Sequence, residues 1–276
     1  MKILDGKALA TKLRAELKEK IELLDRKPGL AVVLVGEDPA SQIYVRNKIK
    51  ACEELNIRSY SYHLPETIDQ KSVEDLLDEL SMDENIDGIL LQLPLPKHLK
   101  QEEVMMHIAV KKDVDGFSPE NLGLLALHKE RMVACTPLGV MKLLESEGIE
   151  LEGKRAVVLG RSDTVGKPMA MLLLNASATV TVCHSKTQNL KEICKNADIL
   201  ISAIGKPKFV TEDMVKDGAV VVDVGINRDE NGKLCGDVDF ERVKDKTSYI
   251  SPVPGGVGPM TITMLMHNTY LAVCKE

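Results

Sequence analysis

Ala156-Val157-Val158-Leu159-Gly160-Arg161-Ser162-Asp163-Thr164-Val165-Gly166-Lys167-Pro168 decides the fold. Four apolar residues with no charge among them read as a strand buried on both faces, and the glycine that follows ends it. A helical stretch over 167–175 comes next, so the glycines sit where a strand gives way to a helix. Gly160 and Gly166 permit a tight turn and close backbone approach, and the helix N-terminus beyond them offers unpaired N–H groups to a phosphate. Ser162 stands where the middle glycine of a full G-x-G-x-x-G would be, so on pattern alone an ordinary turn and a phosphate loop are evenly matched.

Downstream, predicted strands at 179–183, 199–203 and 219–224 alternate with helical stretches, among them 190–196. This is the rhythm of a doubly wound parallel sheet, a Rossmann-type domain. The second strand of the series ends at His184-Ser185, where dinucleotide folds commonly place an acid to grip the ribose hydroxyls. With no acid there, and with Arg161 beside the turn, a 2′-phosphate can be held by Arg161 and Ser185, which favours NADP over NAD.

Upstream, Leu9, Leu13, Leu17, Ile21 and Leu24 recur at helical spacing, and 29–36 is a continuous apolar run that reads as a buried strand. Asp38-Pro39-Ala40-Ser41 breaks it, with Ser41 as the expected helix cap. Ser72 and Asp75 form an approximate capping box ahead of Val73, Leu76, Leu77 and Leu80, and 88–93 is a second strand stopped by Pro94 and Pro96. The predicted order of helix, strand, helix, helix, strand makes an α/β layered domain. A helix over 136–147 marks the boundary, and a helical stretch over 260–273 is expected to return to the first domain. The expected division is 1–140 plus 261–276 for one domain and 141–260 for the Rossmann-type one, with a cleft between them.

The chain of 276 residues has 42 acidic and 36 basic side chains, a net charge of −6, and interspersed signs, so no nucleic-acid footprint stands out. The N-terminal residues lack a signal-peptide core and no apolar run is long enough to span a bilayer, so a cytoplasmic address is expected. Cys52, Cys135, Cys183, Cys194, Cys235 and Cys274 are scattered without metal-ligand spacing, and no metal site is expected.

Ser41, Tyr44 and Lys48 lie three and four residues apart and share one face of a helix. Alone, such a set is more often a solvated lysine beside a half-buried tyrosine. Gln92, however, interrupts an apolar strand, and a buried amide must find partners. Asp113 and Asp115 place two carboxylates in the loop 112–117, and the Gly- and Pro-rich stretch 252–261 suits a rigid ligand-facing loop.

Together these motifs resemble the methylenetetrahydrofolate dehydrogenase/methenyltetrahydrofolate cyclohydrolase family. The resemblance runs nearly end to end: Val35-Gly36-Glu37-Asp38-Pro39-Ala40-Ser41 with Tyr44 and Lys48, Gln92-Leu93-Pro94-Leu95-Pro96, Lys112-Asp113-Val114-Asp115-Gly116-Phe117, the 160–168 turn, Cys183-His184-Ser185, Asp223-Val224-Gly225-Ile226-Asn227-Arg228, Gly236-Asp237-Val238-Asp239, and the 252–261 loop. Val110, Ser118 and Thr164 depart from the family's usual Pro, His and aliphatic residue.

The resemblance implies an N-terminal catalytic domain, a C-terminal NADP-binding domain, and two reactions. These are NADP-dependent oxidation of 5,10-methylenetetrahydrofolate and hydrolysis of the methenyl product to 10-formyltetrahydrofolate. It implies that Tyr44, Lys48, Gln92 and Asp115 form the catalytic folate site. Asp115 would take the pterin's paired N–H donors and Tyr44 would stack on the folate, its hydroxyl within reach of Lys48. Ser41 would support the network, and Pro254, Gly255 and Gly256 would line the substrate cleft. Lys48 is the expected proton carrier with Gln92 positioning it, while Gly160, Arg161, Ser162, Gly166, Ser185 and Ile226 would hold NADP. A homodimer formed through the cofactor domain is also expected. Two rival readings remain: another two-domain NADP dehydrogenase, which leaves the Tyr44, Lys48, Gln92 and Asp115 set unexplained, and a silent binding protein, against which the presence of Lys48 argues.

Overall fold

The apolar runs at 29–35, 88–91, 155–159, 199–202 and 220–223 are strands in the computed structural model, which describes residues 1–274, and nearly every residue in them is buried. In chain order β1 (Lys2–Ile3), α1 (Gly6–Glu22), β2 (Gly29–Val35), α2 (Pro39–Glu54), β3 (Arg58–Leu64), α3 (Gln70–Met82) and β4 (Gly88–Leu91) come first. Two short helices, α4 (Gln101–Met105) and α5 (Pro119–Ala126), precede α6 (Cys135–Ser146). Strand and helix then alternate through β5 (Arg155–Leu159), α7 (Gly166–Asn175), β6 (Thr179–Cys183), α8 (Leu190–Lys195), β7 (Ile199–Ser202) and β8 (Val220–Asp223). A hairpin of β9 (Asn227–Arg228) and β10 (Leu234–Cys235), the helix α9 (Phe240–Val243), β11 (Tyr249–Ile250) and the long α10 (Val257–Cys274) follow.

The chain divides into two compact units, one of Met1–Thr11 with Thr136–Thr261, the other of Lys12–Cys135 with the segment from Ile262. The first holds a six-stranded sheet, all parallel, in the order β1-β11-β8-β7-β5-β6. The order reverses at β5, which has β6 on one side and β7 on the other, and the carboxyl end of such a strand is where open α/β sheets bind ligands. Valine, leucine and cysteine fill its core, with Val157, Leu159, Leu200 and Val221 at most 4% exposed.

Residues 1–11 fall in this unit, whereas the sequence expectation grouped all of 1–140 with the other domain. Lys2 donates its backbone N–H to Ser248 O (2.7 Å) and Leu4 to Ile250 O (2.9 Å), which adds β1 to the sheet edge. A two-residue strand carries no periodicity, so the helical pattern from Leu9 onward hid it.

The second unit is built on three parallel strands in the order β3-β2-β4, packed against α3 through Val33, Ile89, Val73, Leu77 and Leu80. β3 is absent from the sequence-based order of elements. As an edge strand it half-buries Tyr60, Tyr62 and Leu64 against that core and leaves Arg58, Ser61 and His63 exposed, a polar pattern weaker than that of its neighbours. Both expected caps shift upstream by three residues. Asp38, not Ser41, caps α2 by accepting from Ser41 N (2.7 Å), and Asp69, not Ser72, caps α3 by accepting from Ser72 N (2.9 Å). A carboxylate at the N-cap also meets the positive end of the helix dipole, which a hydroxyl does not.

Candidate active site

Helix α2 places Ser41, Tyr44 and Lys48 on successive turns, with Ser41 buried at 4% exposure and Lys48 half-buried. The Lys48 ammonium donates to Gln92 Oε1 at 3.0 Å. Gln92 lies one residue past β4, 9% exposed, and its backbone N–H continues the ladder to Val33 O (2.8 Å). Its amide N–H donates to Leu93 O at 2.7 Å, which orients the amide so that its oxygen meets Lys48. The expectation that a buried glutamine must find partners is met by the Lys48 ammonium and the Leu93 carbonyl. Tyr44 is 38% exposed and has no hydrogen bond among the described residues, so the contact expected between its hydroxyl and Lys48 is not made.

The two carboxylates of the 112–117 loop have different tasks. Asp113 is buried and accepts from Gly116 N (3.1 Å), Phe117 N (3.2 Å), Ser118 N (2.7 Å) and Asn121 Nδ2 (2.8 Å), so it staples its own loop. Gly116 is required there, with φ +71° and the site of a Cβ only 2.6 Å from Ala134 N. Ser118, a departure from the family pattern, caps α5 by accepting from Asn121 N (3.1 Å).

Asp115 is left free to act. Its surface is partly open, yet the atoms packed round it push its carboxyl up to about 6, against the pull of the Lys48 ammonium, with Asp113 raising it further and the Cys135 thiol lowering it. Asn268 of α10, 1% exposed, donates to Val114 O (2.8 Å) and Val133 O (2.9 Å), tying the residue before Asp115 to the segment that leads into α6. Sequence reasoning missed Asn268; it lies between His267 and Thr269 in α10, so nothing local sets it apart. Lys48 and Gln92, joined by a hydrogen bond, and Asp115, within the charge field of Lys48, thus form one polar cluster within a single unit, able to hold a polar heterocycle and move a proton.

In the six-stranded unit, Gly160 has φ +116°, and a Cβ there would lie 2.3 Å from Ala203 O; one on Gly166 would lie 2.4 Å from Gly160 O. The backbone therefore closes tightly at the end of β5, as the glycine spacing predicts. Ser162 spends its hydroxyl on this turn, accepting from Val165 N (3.2 Å) and Gly166 N (3.3 Å) at the start of α7. A cavity of about 290 Å³ opens at the carboxyl ends of β5, β6 and β7, and Gly160, Arg161 and Ser185 line it. Ser162, Gly166 and Ile226 do not line it; the first two shape the turn, and Ile226 is 50% exposed.

Lys206 and Phe209 also line the cavity and were not expected. Their signal was a Gly205-Lys206-Pro207 turn following an apolar strand, with Gly205 at φ +64°. Lys206 Nζ lies 5.5 Å from the centroid of the Phe209 ring. Among the described residues neither Arg161 nor Lys206 makes an ion pair, so two cations at one apolar-walled cavity have no anion of their own.

Comparison with known proteins agrees with both halves. The family model for the tetrahydrofolate dehydrogenase/cyclohydrolase catalytic domain matches residues 4–115, and that for the NAD(P)-binding domain matches residues 134–276. The chain belongs to the tetrahydrofolate dehydrogenase/cyclohydrolase family. It is 59% identical over 275 residues to the bifunctional protein FolD of Campylobacter concisus, spanning 99% of this chain and 97% of the relative. The crystal structure of the bifunctional FolD enzyme of Campylobacter jejuni matches at 53% identity and a TM-score of 0.98, covering 100% of both chains. That of Trypanosoma brucei, complexed with NADP and an inhibitor, matches at 40% identity and a TM-score of 0.95, covering 99% of this chain and 97% of the other.

As a member of the tetrahydrofolate dehydrogenase/cyclohydrolase family the chain is a bifunctional enzyme, with an N-terminal catalytic domain and a C-terminal NAD(P)-binding domain. The glycine turn at 160–166, open between two readings on its pattern, lies in the NAD(P)-binding domain. Lys48, Gln92 and Asp115 lie within the match to the catalytic domain.

Proposed function

We propose that this enzyme oxidises 5,10-methylenetetrahydrofolate with NADP and hydrolyses the resulting 5,10-methenyl cation to 10-formyltetrahydrofolate, with Lys48, Tyr44, Gln92 and Asp115 as its catalytic folate site. The observation that carries this reading is the Lys48–Gln92 hydrogen bond of 3.0 Å in the charge field of Asp115. A carboxylate suits the paired N–H donors of the aminopyrimidinone ring, so Asp115 anchors the pterin. Tyr44, exposed and without a hydrogen-bond partner among the described residues, offers its ring as a stacking surface. Ser41 supports the turn of α2 beneath it.

Bound NADP supplies the hydride acceptor for the first reaction. For that reaction the protein's own task is to bring donor and acceptor carbons to near-attack separation and exclude competing chemistry. In the second reaction water adds to the methenyl carbon and loses a proton, after which the ring opens at one nitrogen. Lys48 Nζ is the group assigned to that proton traffic, held at a fixed place by Gln92 Oε1. Pro254, Gly255 and Gly256 are assigned to substrate binding on the family resemblance; Gly255, at φ +108°, anchors its carbonyl to Lys7 N (3.0 Å).

For the cofactor, Gly160 and Gly166 bring backbone to the pyrophosphate, with Ser162 ordering the turn, and Arg161 with Ser185 takes the 2′-phosphate. Ile226 contacts the cofactor from the loop after β8. The cations at the cavity, which make no ion pair among the described residues, and the absence of an acid at 184–185 support NADP over NAD. The NADP-bound Trypanosoma brucei relative supports the same choice. The functional division is 1–140 plus 261–276 for folate and 141–260 for NADP; the resemblance favours a homodimer, and the sequence pattern a cytoplasmic address.

One assay tests the reading: 5,10-methylenetetrahydrofolate with NADP and with NAD in parallel, following reduced cofactor and acid-quenched methenyl product. Reduction of NADP with little methenyl accumulating is the expected result. Accumulating methenyl would contradict the cyclohydrolase half, and no reduction by folded protein would contradict the whole.

A further inference from the structure

Two motifs of the six-stranded unit, Asp223-Val224-Gly225-Ile226-Asn227 and Gly236-Asp237-Val238-Asp239, carry carboxylates that take no part in the chemistry above. Asp223 is 3% exposed and Asp237 0%, and a carboxylate so buried is costly unless its lone pairs are filled. Asp223 fills its own with Gly225 N (2.9 Å), Asp237 N (2.9 Å) and Val238 N (2.8 Å), which ties the end of β8 to the segment after β10.

Asp237 reaches towards the cofactor cavity instead. It accepts from Ile204 N (2.8 Å), Gly205 N (3.3 Å) and Lys206 N (2.9 Å), three consecutive backbone donors, and from Ser202 Oγ (3.2 Å) and Asn227 Nδ2 (2.9 Å). Successive N–H groups converging on one anion form a nest, here filled by the protein's own carboxylate. The approach leaves no room for side chains. A Cβ on Gly225 would lie 2.2 Å from Asp237 Oδ1, and one on Gly236 would lie 1.9 Å from Asp223 Oδ2. Ile204 and Lys206 are cavity wall, and Asn227 follows Ile226, so one carboxylate governs both the wall and the neighbouring loop.

We propose that Asp237 is a positioning residue for NADP: it fixes the 204–206 wall and the Ile226 loop, and thereby holds Lys206 at the cavity as a second cation, with Arg161, for the 2′-phosphate. This rests on the reading of that cavity as the NADP site. Lys206 is anchored at its backbone by Asp237 while its ammonium has no ion-pair partner among the described residues, which is how a fixed charge for an incoming dianion is built.

The two residues separate by cofactor. Asp237→Asn puts an amide donor against backbone donors and loosens the wall, so it weakens NAD by roughly tenfold and NADP by more, because Lys206 moves with the wall. Lys206→Gln removes only the charge and weakens NADP by roughly tenfold while leaving NAD unchanged.

The test is calorimetric Kd for both nucleotides in wild type and the two variants, with hydrolysis of added 5,10-methenyltetrahydrofolate, which consumes no cofactor, reporting on the other reaction. Weaker binding of both nucleotides in D237N with hydrolysis retained supports the positioning role. Unchanged Kd, or hydrolysis lost in step with binding, overturns it. Should D237N not fold, Asn227→Ala removes one donor from the same carboxylate and is expected to weaken NADP a few-fold; an unchanged Kd there overturns the proposal equally. Wild type binding neither nucleotide would contradict the NADP reading itself and not the positioning of Asp237.

Discussion

The two candidate sites are made of different material. In the three-stranded unit the working groups are side chains: an ammonium from α2 and an amide from the end of β4, hydrogen-bonded to each other, and a carboxylate from the 112–117 loop coupled to the ammonium by charge. In the six-stranded unit the working surface is largely backbone, brought close by Gly160 and Gly166 and fastened by carboxylates that face inward. Hydride transfer asks mainly for placement, which backbone supplies without titrating, whereas hydrolysis asks for a proton to be moved, which needs a titratable side chain. The difference predicts that the first site breaks at single functional groups and the second at positions where the chain must pass close to itself.

The largest effect that sharpens this contrast is expected from Gly160→Ala. The added methyl meets Ala203 O at 2.3 Å at a φ of +116°, so the turn must move. Strain of about 1–3 kcal/mol at such a position corresponds to a roughly ten- to hundredfold loss of NADP affinity, measured as Kd by calorimetry. A change below twofold would break the view that backbone approach makes this site.

A smaller effect, specific to the side-chain site, concerns Asp115. Its carboxyl sits at about 6, raised first by burial. On the proposed role of Asp115 as pterin anchor, the charged form is the acceptor, so KM for the folate is expected to rise as pH falls through that value, and Asp115→Asn removes this acid limb while raising KM throughout. For stability the sign is opposite. A raised carboxyl favours the native state below its unfolded pKa, and that contribution is lost as pH rises through the native value. Asp223, pushed up to about 7 by burial, acts in the same sense from the usual carboxylate range up to that pH. Denaturant midpoints across pH in wild type and Asp115→Asn check this; a midpoint difference that does not depend on pH would contradict it.

The smallest effect is expected from Ser162→Ala, which leaves Val165 N and Gly166 N without their hydroxyl acceptor. Losing a helix-start acceptor costs about 1 kcal/mol, seen as a fall in Tm of a few degrees with little change in NADP affinity. A tenfold affinity loss would mean that Ser162 touches the cofactor directly.

The contrast also explains what could be read in advance. Glycine spacing at the end of β5 and the i, i+4 placement of Tyr44 and Lys48 are local patterns, and both were legible in the sequence. So was Gln92, because a polar residue in an apolar strand demands a partner. The pairing of β1 with β11, the edge strand β3 and the role of Asn268 depend on partners far away in the chain: 29 residues separate Ala31 from Tyr60, 154 separate Val114 from Asn268, and 247 separate Lys2 from Tyr249. Inward-facing Asp237 was visible only as part of a family motif. Its five donors come from β7, the turn after it and β9, which no single window of sequence contains.

The most direct measurement compares, in a single preparation of Lys48→Met, hydrolysis of 5,10-methenyltetrahydrofolate with equilibrium binding of the folate. If a side-chain proton carrier drives hydrolysis, the rate falls by roughly 10²–10⁴-fold while folate Kd changes only a few-fold and NADP Kd does not change. Equal loss of hydrolysis and folate binding would make Lys48 a binding group only, and retained hydrolysis would remove it from the chemistry altogether.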